Sequence, residues 1–191
     1  MLDYTLARLS LFTIGLFTLG TGTTSDLLSK FHQQEYEIKK ERFVLTAFNK
    51  TLINYFSVNT FKYNRTAFAT NGTISLKFDC VGDDVTVIVQ AHLFLSNQYR
   101  VFPLRFQISL CDCFEKRIMG LGDYPFGNLN VCPLKKGVRY YGCNWKPNVK
   151  RFPPGIPDGQ YKMQFTGMHR DSFLFDVDYY VTIYRQPKIP N

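Results

Sequence analysis

Three histidines, His32, His92 and His169, are the only side chains whose ordinary pKa lies near neutrality, and none stands beside a nucleophile in the sequence. A general base must sit within hydrogen-bond reach of the proton it moves. No HExxH, GxSxG, P-loop or CxxC spacing occurs. Gly120-Leu121-Gly122 with Gly127 departs from GxGxxG and lies in a turn-rich stretch, so it reads as loop. Two carboxylate pairs remain. Asp83-Asp84 has turn chemistry. Asp176 and Asp178, two apart on a strand, share a face where one acid and one base could pair. Outward Asp residues on an edge-like strand, however, commonly guard against pairing with another chain. The residues predict no enzyme and no cofactor.

The cysteines carry different chemistry. Cys80, Cys111, Cys113, Cys132 and Cys143 form an odd set of five, which leaves one thiol free or joined between molecules. Cys111-Asp112-Cys113 lacks the further Cys or His ligands that a zinc site needs, so disulfide chemistry is the stronger reading. Disulfides require an oxidising compartment. Three N-x-[ST] sequons, at Asn49, Asn64 and Asn71, point the same way. So does the N-terminus, where Leu9–Leu19 is an apolar run too short to span a bilayer and Gly20–Thr24 is a small-residue cleavage region. Residues 1–24 are expected to be a signal peptide and residues 25–191 one exported domain.

Those groups must be held by a scaffold, and composition names its class. Hydrophobic residues make up 45% of the 191-residue chain, enough to bury a core, and the aromatic share is 16%, mainly 18 Phe and 12 Tyr. Aromatic and β-branched residues favour strands. The net charge of +8 comes from dispersed Lys and Arg, densest at Lys135, Lys136, Arg139, Lys146, Lys150 and Arg151. No helix carries a basic stripe, so nucleic acid is not an expected partner.

Period-2 alternation is the clearest pattern. Phe68, Thr70, Gly72, Ile74, Leu76 and Phe78 form one face, with the Asn71 sequon on the other. Val85, Val87, Val89, Ala91, Leu93 and Leu95 form the next, and residues 68–95 read as a hairpin turning at Asp83-Asp84. Leu104, Phe106, Ile108 and Leu110 continue the pattern after Pro103. Tyr161, Met163 and Phe165 precede a turn at Gly167–Arg170, and Phe173 to Ile183 form a final strand. Phe31–Tyr63 is read as two more strands broken around Asn49–Asn54. Between Cys111 and Gly159, Gly and Pro punctuate loops, with a helical turn at Phe114–Leu121. Successive short strands predict an all-β sandwich.

From Asn64 onward the sequence resembles an insect secreted family, the chemosensory CheA-like proteins, within the lipid-recognition superfamily that includes the ganglioside activator protein. The matching stretches are NRTAFATNGTISLKFD (Asn64–Asp79), NQYR (Asn97–Arg100), LCDCFE (Leu110–Glu115), NLNVCPLKKGVRYY (Asn128–Tyr141) and PPGIPDGQYKMQF (Pro153–Phe165), about two-thirds of the chain. The resemblance implies an immunoglobulin-like sandwich of about seven to nine antiparallel strands with an apolar cavity between its sheets. It implies a carrier or sensor of a lipid or pheromone-like molecule, with a membrane receptor or channel as a further partner.

It also implies a bridge from Cys132 to Cys111 or Cys113, with Cys80 and Cys143 as a second pair. On this reading the expected cavity wall comprises Phe68, Ile74, Phe78, Val87, Ala91, Leu93, Phe106, Phe165, Phe173 and Phe175. Ala91 is its small residue, the place where a larger side chain should block a guest. The rival expectation is an extracellular interaction glycoprotein with a solid core.

Overall fold

The computed structural model describes residues 24–186 apart from Thr66 and Val131. All but the last residue of the expected signal peptide therefore lies outside the described residues. A short helix α1 (Thr24–Ser29) leads into nine strands: β1 (Glu37–Phe48), β2 (Ile53–Lys62), β3 (Phe68–Leu76), β4 (Val85–Leu95), β5 (Gln98–Ser109), β6 (Phe126–Gly127), β7 (Tyr140–Trp145), β8 (Gly159–His169) and β9 (Ser172–Tyr184). They build two antiparallel sheets, one ordered β1-β9-β8-β4-β5 and one ordered β2-β3-β7-β6. This is the expected all-β, immunoglobulin-like sandwich. No helix among the described residues is long and apolar enough to cross a membrane.

The expected break at Asn49–Asn54 separates β1 from β2, and it also carries the chain from one sheet to the other. Asn49 builds that corner: its Oδ1 accepts from the Thr51 N–H at 2.9 Å, and its Nδ2 donates to the Phe173 carbonyl at 3.0 Å. Between β4 and β5, Ser96 and Asn97 have φ of 49° and 63°, the left-handed pair of a two-residue hairpin turn. Pro103 is accommodated in β5 because β5 is an edge strand and its ladder with β4 shifts register there, between Val101 and Arg105.

Two expectations fail here. Residues 68–95 are not a hairpin, for β3 pairs with β2 and β7 while β4 pairs with β5 and β8. The intervening residues cross between the sheets, held by a two-way backbone bridge of Cys80 with Leu134. The strand of Asp176 and Asp178 is also no edge, since β9 lies between β1 and β8. Asp178 is buried and paired with Lys162 at 3.6 Å. Asp176 accepts a hydrogen bond from the Thr166 hydroxyl.

The inward faces of both sheets interlock through aromatic side chains. Phe56 of β2 meets Phe175 of β9 edge to face at 5.3 Å, and Phe43 of β1 packs between Trp145 of β7 and Tyr179 of β9.

Candidate functional site

Between the sheets lies a cavity of about 190 Å³ whose wall, among the described residues, has no charged side chain. Each strand supplies residues by its period of two. Thr70, Gly72 and Ile74 come from β3, Phe56 and Val58 from β2, Val87 and Val89 from β4, Phe106 and Ile108 from β5, and Phe175, Val177 and Tyr179 from β9. At Gly72 a side chain is missing, and a Cβ there would meet nothing within 4 Å. The Thr70 hydroxyl, a rare polar group in the wall, is already matched with that of Thr60 at 3.0 Å.

One end is sealed by the chain from Leu110 to Leu134. Helix α2 (Leu110–Glu115) and the turn at Ile118–Gly120 direct Leu110, Cys113, Phe114, Ile118, Met119 and Leu121 into the cavity. Arg117 and Met119 take left-handed φ of 51° and 54°, a conformation that costs a non-glycine residue of order 1–3 kcal/mol. Neighbours hold it there. The Asn148 N–H donates to the Met119 carbonyl, the Trp145 Nε1–H to the Gly120 carbonyl, both at 2.9 Å, and Arg151 Nη1 to the Arg117 carbonyl at 2.9 Å.

The Cys111–Cys132 disulfide, with Cα atoms 5.6 Å apart, ties the start of this segment to its far end. Of the two partners left open for Cys132, the structure selects Cys111. Cys80, Cys113 and Cys143 are free, which overturns the expected Cys80–Cys143 pair. Cys80 is held in the core by its bridge to Leu134, whereas Cys143 sits on β7 opposite Phe126 of β6. Cys113, in the cavity wall, is fully enclosed. Burial, reinforced by the nearby Asp112, pushes its thiol up to about 12, so it is neither a nucleophile nor a ligand near neutral pH.

Half of the expected wall residues converge: Ile74, Val87, Phe106, Phe165 and Phe175 border the cavity. The other five do not, each for a positional reason. Phe68 is exposed at the start of β3 and Phe173 at the tip of the β8–β9 hairpin. Phe78 lies beyond the end of β3, stacked on His169 at 3.9 Å. Ala91 and Leu93 face the interior farther along β4, level with Met163 and Tyr161, where Leu93 packs against Gly159. Ala91 is therefore not the small residue of the wall; Gly72 and Gly142 are, and only at Gly72 would a Cβ meet nothing within 4 Å.

Residues missed from the sequence include the whole 110–134 seal, which has no repeating period to betray it. Phe43, Phe56 and Val58 were legible in principle, since Phe56, Val58 and Thr60 alternate along β2. The residues weighed for catalysis do not assemble. His92 stands in register with Lys162, and His169 is occupied with Phe78. Among the described residues no three His, Cys, Asp or Glu side chains gather to hold a metal.

No family model matches the chain, and no curated protein matches it. Among solved structures, chicken MD-1 complexed with lipid IVa is similar at 14% identity and a TM-score of 0.32, over 80% of this chain and 93% of that one. A Niemann-Pick type C2 protein from the Japanese carpenter ant is similar at 14% identity and a TM-score of 0.29, over 78% of this chain and 96% of that one.

Proposed function

We propose that this chain is an exported, non-catalytic binding protein for an apolar guest, a lipid or pheromone-like small molecule, taken up between the two sheets. One observation carries the reading: an interior space of about 190 Å³ with an uncharged wall of aliphatic and aromatic side chains. An apolar cavity of about 150 Å³ stays dry and takes up benzene, so this space can hold a guest of that size as it stands. It falls below the ~300–1,000 Å³ typical of ligand sites. A longer acyl chain therefore requires the 110–134 seal or the sheets to yield. Burial of the guest would supply roughly 25 cal/mol per Å² of apolar surface.

The small volume is also what favours the rival, a glycoprotein with an essentially solid core that acts through its surface. Native mass spectrometry of exported protein separates them. A co-purified apolar molecule supports the carrier and names its chemistry, while a mass accounted for by protein and glycans alone supports the rival.

Export itself follows from the N-terminal sequence, with the mature chain starting between about Thr21 and Asp26. Glycosylation is proposed at Asn49, Asn64 and Asn71. Their settings differ. Asn64 is exposed, whereas Asn71, though turned outward, is half-buried and accepts the Asn144 N–H at 2.9 Å. Asn49 is engaged in the β1–β2 corner. Retention of an epitope-tagged form inside the cell, with no mobility shift on deglycosylation, would overturn both proposals.

A further inference from the structure

The segments that carry the four-stranded sheet contain no acidic residue. Residues 49–78 and 124–157, which contain every strand of the β2-β3-β7-β6 sheet and the loops beside them, hold ten Lys and Arg and no Asp or Glu. The outer face of that sheet is also aromatic. Register places Tyr55 of β2, Thr73 of β3, Tyr141 of β7 and Phe126 of β6 on this face, and Phe126 is 66% exposed. Two cations lie over its rings, Arg139 over Tyr55 at 4.7 Å and Lys146 over Tyr63 at 4.1 Å. They bridge β7 to β2 across the two ends of β3, where the face is otherwise polar. Asp79, beside the basic loop, is partnered by Lys135 at 3.9 Å and by the Lys136 N–H.

We infer that this outer face docks the protein on the headgroup layer of an anionic bilayer. Amphipathic aromatic rings settle at a membrane–water boundary, and cations beside them meet anionic headgroups. Each Lys or Arg held near such a surface strengthens binding roughly five-fold, and salt weakens it. The strands of the opposite sheet mix Glu37, Asp176 and Asp178 with Lys39, Arg42, Arg100, Arg105 and Lys162, so that sheet carries both signs, and its Arg42 over the Tyr180 ring at 4.8 Å lies among acids. Since the wall residues Thr70, Gly72 and Ile74 alternate along β3 with outward Asn71, Thr73 and Ser75, the docked face would be the back of the cavity wall. The inference stands on the surface alone and needs no guest in the cavity.

Co-flotation of the exported full-length chain with vesicles tests it, using phosphatidylcholine alone or with about one-third phosphatidylserine. The mixed vesicles should bind the protein at low salt and release it at 0.5 M NaCl, and neutral vesicles should bind at least ten-fold less. Arg139→Glu with Lys146→Glu should lose at least ten-fold, and Phe126→Ser several-fold. Arg105→Glu, an equal change of charge per site on β5 of the other sheet, should change binding less than two-fold. Asn71→Gln is run beside the wild type, because a glycan at Asn71 would stand on this face; binding by both forms supports the inference, and binding by the unglycosylated form alone would overturn it for the exported chain. Equal binding to neutral vesicles, no binding by either form, or equal losses from Arg105→Glu and the Arg139 and Lys146 changes would overturn it. Retention on heparin without vesicle binding would assign the face to an acidic polymer and also overturn it.

Discussion

Gly72 and Gly142 are register partners on β3 and β7, yet a Cβ on Gly72 would meet nothing within 4 Å while one on Gly142 would lie 2.6 Å from the Tyr124 ring. One sheet position opens into the cavity and the position beside it is already capped by an aromatic side chain.

Substitution at the two glycines should therefore have opposite signs. Gly72→Ala removes backbone freedom from the unfolded chain and adds a methyl where there is room, which stabilises by about 1 kcal/mol and raises the melting temperature by about 2–4 °C. Gly142→Ala forces Tyr124 aside and should cost about 1–3 kcal/mol. Thermal and urea denaturation of both variants measure the difference.

The Cys111–Cys132 bridge spans 21 residues of sequence, so removing both thiols with Cys111→Ala and Cys132→Ala should cost about 3 kcal/mol through the unfolded state. Non-reducing peptide maps should recover Cys111 joined to Cys132, with Cys113 unmodified by thiol reagents until the protein is unfolded.

Cys113 also sets a pH dependence. Its thiol keeps its proton in the folded state up to about 12 because it is buried, whereas in the unfolded chain it ionises near the ordinary value of 9. The folded state is thus favoured fully below pH 9, and this contribution is lost progressively as pH rises from 9 to 12. Cys113→Ala should lose about 1 kcal/mol less stability than the wild type between pH 8 and pH 10. The tyrosines ionise in both proteins and cancel in that comparison.

On the outer face of the five-stranded sheet, Asp178 and Lys162 form a largely buried pair that also receives the Tyr180 hydroxyl at 3.2 Å. Asp178→Ala leaves the lysine charge uncompensated and should cost about 3 kcal/mol. Replacing both with apolar side chains of similar volume, Asp178→Leu with Lys162→Met, should cost much less. A double-mutant cycle in urea reads the coupling.

These residues show what a sequence can and cannot disclose about such a fold. Alternation marked β3, β4, β5, β8 and β9 because each strand buries one face, and a period of two survives in the residues themselves. Strand partners did not show. Nothing in residues 68–95 distinguishes a hairpin from a crossing between sheets, since that choice depends on Leu134 meeting Cys80 far along the chain. Asp178 looked outward, and it is; its burial comes from the neighbours that β8 and β9 bring over it. The cavity divides in the same way. Ile74, Val87, Phe106, Phe165 and Phe175 lie mid-strand, where inward phase is enough, whereas Phe68 and Phe173 fall where strands outrun the opposing sheet. The 110–134 seal, held by a disulfide and left-handed residues, has no period to read.

The central claim, that the space beneath Gly72 receives an apolar guest, is tested most directly by uptake of a fluorescent fatty-acid probe by wild-type protein and by Gly72→Leu. The Cβ of a leucine there would meet nothing within 4 Å, and Gly72 borders the cavity. Saturable uptake by the wild type, reduced at least ten-fold in a variant that melts no lower, is the predicted result. No uptake by the wild type, or undiminished uptake by a folded Gly72→Leu protein, would contradict it.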